Sequence, residues 1–284
     1  MTRKWISRNP NLYLRPINLT LLLSPNAGER IKVRWTRTSK KGIFIKKRAF
    51  NLEKEALSAS GIRERNKIAK YINKLDHLCQ KFIREALPPS DPRASDPPPS
   101  NPMIRAKMLF DWLWKEKPAR YKPQGNFKLC DVIDGQLNPD TQTVGNCLGL
   151  TILYNCLLRR MDVVVEGLYL EDAFGMGPHV LTTFQAKESI IDIENMFPEG
   201  FDYKGHLHHP SRIKWGDKEL VGDIHHSMGN DFFSKGKWIK ALENYDMAIY
   251  LNPHYEKAHI NKAILIDKME NNPTQSLPPK TRPT

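Results

Sequence analysis

Cys147 is the residue whose setting most invites chemistry. It follows the turn-prone pair Gly145-Asn146 and precedes a long apolar run ending near Leu158. Leu148, Thr151, Ile152, Asn155 and Leu158 recur at three- and four-residue steps, which predicts a mostly buried helix. Asn146 is a suitable N-cap, and Arg159 and Arg160 suit the C-terminal end. Cys147 then stands at a helix N-terminus, where the dipole and unpaired N–H groups favour an anionic thiolate. A thiol nucleophile also needs a base and a group to orient that base. His179 lies in the strand-like segment Pro178–Phe184, and Asp192 in Ser189–Ile193. A short even-numbered loop near Gln185-Ala186 would set positions 179 and 192 opposite each other on one face. Glu194 shares that face and is the rival orienter, whereas Asn195 has the opposite parity. Singly, a buried inert cysteine, a capped histidine and a strand-ending aspartate are all ordinary. Their conjunction points to a Cys147-His179-Asp192 triad.

The order and spacing of Gly145-Asn146-Cys147, Gly177-Pro178-His179-Val180 and Ile191-Asp192 resemble the transglutaminase-like cysteine-protease superfamily, over roughly Met103 to Tyr203. The resemblance implies acyl-transfer chemistry on an amide of a protein or peptide substrate. It makes Cys147 the nucleophile, His179 its base and Asp192 the orienter, with no cofactor. It also makes Gln142 an oxyanion donor beside the Cys147 N–H, as an upstream glutamine is in papain-like enzymes. The zinc-binding CxxC pairs of some peptide N-glycanases are absent from this sequence, which argues against that activity.

The elements that must position these groups are readable in outline. Val163–Leu170, Pro178–Phe184 and Ser189–Ile193 are β-branched or aromatic-rich and read as an antiparallel meander after the cysteine helix. Met103–Trp114 has helical spacing, and Tyr121–Val144 reads as irregular. One helix followed by a meander predicts an α+β domain with a papain/transglutaminase-like core over residues 103–221. Before it, Pro88–Pro102 reads as a Pro-rich linker and a domain boundary. Residues 1–87 read as a basic region, with strands at Asn18–Leu23, Arg30–Arg37 and Ile43–Arg48 and then one amphipathic helix over Leu52–Leu87.

The stretch Gly229-Asn-Asp-Phe232 through Gly236, Ala241, Tyr245 and Ala248 to Pro253 resembles a tetratricopeptide repeat almost position for position. Small residues let two helices approach, aromatics fill the groove, and Pro253 ends the second helix. Residues 222–270 thus read as a tetratricopeptide hairpin with Tyr255–Met269 as its outer helix. One and a half repeats fall short of the ~3 that a free-standing solenoid needs, so the unit is expected to pack on the preceding domain. Residues 271–284 read as a disordered tail.

The 284-residue chain carries a net charge of +13, all of it in the first third. Up to Leu87 there are 21 Lys/Arg against 6 Asp/Glu; from Pro88 onward there are 23 against 25. Residues 1–87 would therefore be drawn to nucleic acid or another anionic surface, although no nucleic-acid module is recognisable there. No apolar run approaches the roughly 20 residues of a membrane helix, and the first ten residues lack the apolar core of a secretory signal. Four widely spaced cysteines suggest a reducing, cytoplasmic setting. His206-Leu-His208-His209 lacks zincin spacing and reads as a loop of solvated imidazoles, with no metal assigned. The sequence supports two functions: a thiol enzyme with a tetratricopeptide extension, or a non-catalytic adapter that keeps the fold and binds a protein partner.

Overall fold

The computed structural model describes residues 50–86, 101–186 and 189–271. The three strands expected between residues 18 and 48, most of the Pro-rich linker and the tail from residue 272 lie outside these. The described chain is α+β: eight helices around one four-stranded antiparallel sheet of order β3-β2-β1-β4.

The centre is the helix α5 (Cys147–Arg159), which begins where the Asn146 side chain accepts a hydrogen bond from the Gly149 N–H at 3.0 Å. Every residue from Leu148 to Leu158 is buried, as an apolar run on all faces requires. On one side α5 meets the sheet, formed by β1 (Glu166–Leu170), β2 (His179–Ala186), β3 (Ser189–Ile193) and β4 (Ile213–Trp215). It also packs on α2 (Arg65–Ala86), α3 (Pro102–Glu116) and α4 (Leu129–Leu137), and its C-terminal end reaches α1 (Leu52–Ala59). Tyr154 of α5 donates to the Ala106 carbonyl of α3 at 2.7 Å, and its ring meets Phe110 edge-on. At the far end of α5, Arg160 pairs with Glu53 of α1 at 2.6 Å and with Asp76 of α2.

Several expected boundaries differ. Leu52–Leu87 is two helices, not one, because Gly61 turns the chain at φ 94°, a conformation open mainly to glycine. Both helices contribute to the same core as α3–α5, so residues 50–86 do not form a unit separate from those helices. Asn101 caps α3 and Pro102 is its first residue, which sets the helix start within the expected linker. The irregular stretch Tyr121–Val144 contains α4. The expected limit at residue 221/222 falls inside α6 (Asp217–Ser234).

α6 and α7 (Trp238–Leu251) form a helical hairpin that α8 (Glu256–Asn271) extends. It joins the sheet through aromatic contacts: Trp215 stacks on Tyr169 at 4.2 Å, and Tyr255 meets both rings edge-on. Among the described residues, no helix is long and apolar enough to cross a membrane.

Candidate active site

The first turn of α5, the start of β2 and the end of β3 converge. Thr151 of α5 donates to the Val180 carbonyl at 3.1 Å, and Thr182 of β2 donates to Asn155 of α5 at 2.7 Å. Asn195, just past β3, donates to both threonine hydroxyls at 3.2 Å. These four side chains are buried and satisfy one another, so helix and sheet are held in one relative placement.

In that frame Cys147 is partly exposed at the helix start and its side chain hydrogen-bonds His179, the first residue of β2. His179 Nε2 lies 2.6 Å from Glu194 Oε2, and both residues are buried. Glu194 is set by the tight turn after β3: its N–H donates to the Gly200 carbonyl, and a Cβ on Gly200 would stand 2.0 Å from the Glu194 backbone carbonyl oxygen. The second carboxylate oxygen of Glu194, Oε1, accepts from the Met196 N–H at 3.2 Å. Burial alone would lower the His179 pKa, but its hydrogen bonds to Cys147 and Glu194 outweigh that and push it up to about 10. Burial would raise Glu194, yet its hydrogen bond with His179 and the nearby His206 imidazole win and hold its carboxyl below the usual range.

The carboxylate on the imidazole is thus Glu194, and Asp192 sits elsewhere. The β2–β3 ladder pairs Thr183 with Asp192 and Thr182 with Ile193, so its next step sets Glu194 against Leu181, one diagonal from His179. Asp192 has the right face but lies four residues along β2 from His179. There it forms a buried two-pronged pair with Arg212, at 2.7 and 3.2 Å, and accepts from Thr183 at 2.9 Å. Gln142 is an exposed residue of the loop before α5, and nothing places its amide at Cys147.

Two participants went unread in the sequence. His206 belongs not to a solvated loop but to the buried centre: it is 3% exposed, and its Nε2 is 3.4 Å from the Glu194 oxygen that also meets His179. Arg212, anchored on Asp192, holds the His206 carbonyl at 2.7 Å. The ligand atoms of His179, Glu194 and His206 lie within 4.8 Å of one another, close enough to hold a metal ion. Tyr121 is paired with Gly145 beside the helix start; burial first, then the charges of Cys147 and Glu194, raise its pKa.

The other three thiols lie in α2, α4 and the later turns of α5. Burial pushes Cys79 up to about 11 and Cys130 up to about 12, and raises the fully buried Cys156 well above the usual thiol value.

Comparison with known proteins adds little to this geometry. No family model matches the chain, and no solved structure matches it. A stretch of 54 residues is 37% identical to the Hsp70-Hsp90 organising protein of Plasmodium falciparum (isolate 3D7), covering 19% of this chain and 10% of that protein.

Proposed function

We propose that this protein is a thiol enzyme of the transglutaminase-like kind, acting on an amide of a peptide or protein through Cys147, His179 and Glu194. One observation carries the reading: His179 bridges the Cys147 thiol and a buried carboxylate, at the N-terminus of the helix that bears the cysteine. In this mechanism His179 takes the thiol proton and Glu194 holds the imidazolium in place. The thiolate attacks the amide carbonyl carbon, and the developing oxyanion meets the N–H groups of the first turn of α5. The C–N bond then breaks as His179 returns the proton to the leaving amine, which leaves a thioester on Cys147. Attack by water gives hydrolysis and attack by another amine gives transamidation; the triad serves both. Four free cysteines suit a reducing compartment, and we assign the protein to the cytoplasm on that ground.

The test is the rate of iodoacetamide labelling at pH 7, resolved by mass spectrometry for each cysteine of the folded chain. Cys147 is expected to label at least about tenfold faster than Cys79, and His179→Asn to slow it by a factor on the order of 10². Equal rates at Cys147 and Cys79, or a rate indifferent to His179→Asn, would overturn the reading.

A second reading, a protein-binding adapter, is favoured by the α6–α8 hairpin together with the short similarity to a chaperone-organising protein. It differs in its consequence: partner capture would survive Cys147→Ala unchanged.

A further inference from the structure

The rim of the site carries an apolar feature that proton transfer does not require. Residues 171–178 connect β1 to β2 and end beside His179. This loop is tied down at many points. Ala173 N–H donates to the Gly177 carbonyl and Met176 N–H to the Ala173 carbonyl, both at 3.0 Å, and Gly177 N–H reaches the Asp172 carboxylate at 2.7 Å. From outside, Ser211 accepts from the Glu171 N–H at 2.9 Å, and His209 bonds the Asp172 carbonyl.

At the tip of this rigid loop stands Phe174, at φ 57°. A left-handed conformation costs a non-glycine residue roughly 1 kcal/mol or more, and glycine or asparagine would fill it more readily. Yet the position holds a large aromatic that is 45% exposed, with Met176 60% exposed two residues on. The inner face of the Phe174 ring meets His206 edge-on at 4.8 Å and lies 6.0 Å from the His179 ring. Phe197 and Tyr203 continue the wall, at 6.2 and 6.1 Å from Phe174 and 5.2 Å from each other. The result is an aromatic floor, open to solvent on one side, running up to the imidazole that touches Cys147. Core packing does not explain an aromatic kept half-exposed in a strained backbone; a ligand contact does.

We infer that Phe174, Met176 and the Phe197–Tyr203 floor form a subsite for a large apolar side chain, aromatic or branched aliphatic, adjoining the amide that Cys147 attacks. This rests on the thiol-enzyme reading and names its substrate class: peptide amides flanked by a bulky apolar residue.

The experiment compares two reagents that alkylate a thiolate with loss of chloride, N-acetyl-phenylalanyl and N-acetyl-glycyl chloromethyl ketone. Each Cys147 rate is divided by that reagent's rate with glutathione, so that intrinsic reactivity cancels. The expected preference for the phenylalanyl reagent is about tenfold or more, the scale on which an apolar pocket discriminates side chains. Phe174→Ala should bring it to within about twofold of unity, and Phe174→Leu should keep most of it. Met176→Ser, at a more exposed position, should lower it by a smaller factor and guards against a loop that fails to form in Phe174→Ala. A normalised preference near one in the wild type, or one that survives both Phe174→Ala and Met176→Ser, overturns the subsite while leaving fast iodoacetamide labelling of Cys147 intact. Slow labelling by every reagent removes the thiol-enzyme reading and the subsite with it.

Discussion

The sheet end of the molecule and the α6–α8 hairpin bury their interiors in different ways. Where α5 meets β2 and β3, the contact is polar: Thr151, Asn155, Thr182 and Asn195 interlock, and Asp192–Arg212 and His179–Glu194–His206 lie beside them. Between α6 and α7 the contact is mainly one of shape. Gly229, Ala241 and Ala248 let the two helices close on the Tyr245 and Trp238 rings, and the hairpin's side-chain hydrogen bonds, from Asp223 through Tyr255, His226, Asn261 and Asn230 to Tyr245, pass from buried to exposed. Apolar packing tolerates small slides, whereas a satisfied hydrogen-bond network has one geometry. Orienting a nucleophile and its base calls for the second kind of interior.

The largest effect that can break this comparison comes from two carboxylates two residues apart. Asp192→Asn removes the anion from a buried pair and should cost about 3 kcal/mol in denaturant unfolding, yet leave the folded fraction with a reactive Cys147. Glu194→Gln should do the reverse, slowing iodoacetamide at Cys147 by about tenfold or more because the imidazolium loses its counter-ion. If Asp192→Asn slows labelling per folded molecule as much as Glu194→Gln does, the two carboxylates are not divided between support and chemistry.

Those two residues also mark where sequence reasoning stops. The α5 helix, its Asn146 cap and strands β2 and β3 were all legible, since long apolar periodicity and β-branched runs are strong local signals. His179 and Cys147 could be brought together from order alone. The choice between Asp192 and Glu194 could not, because sliding the β2–β3 ladder by two residues keeps every side chain on its face. Elements with weak local signals were missed: α4 is nine residues with no side-chain cap and Gly135 inside it, and β4 is three residues long. The burial of His206 depends on Arg212 and, through it, on Asp192, contacts that no local pattern encodes. The apolar stripe of residues 52–87 hid the break at Gly61, since the stripe continues across it.

The next effect is on pH dependence and is confined to the polar half. His179 titrates at about 10 in the folded chain against an ordinary 6.5, so its contribution to stability is complete below 6.5 and is lost as pH rises toward 10. Glu194 is lowered from 4.5, so its contribution is complete above 4.5 and is lost as pH falls through its folded value. The pair stabilises most between about 4.5 and 6.5. Thermal unfolding followed from pH 6 to pH 10 should show Tm declining more steeply for the wild type than for His179→Gln. Parallel declines would mean that the imidazolium is no better held in the folded chain than in the unfolded one.

The smallest effect tests the other half. A Cβ on Gly229 would stand 2.4 Å from the Tyr245 ring, and that ring is buried, with its hydroxyl donating to Asn230 at 2.8 Å. Neither α6 nor α7 can yield without moving the other, so Gly229→Ala should destabilise by about 1–3 kcal/mol, as overpacking does. Because Tyr245 belongs to the hairpin's own apolar cluster with Trp238, Ala241 and Leu265, the loss should appear locally, as faster amide exchange in α7 and α8 with little change in α5. Cys147 labelling should then stay within about twofold of the wild type, since the polar network around it touches none of the displaced groups. Exchange that quickens equally in α5, with a slower Cys147, would show that shape packing in the hairpin also sets the catalytic geometry, and the division between the two interiors would fall.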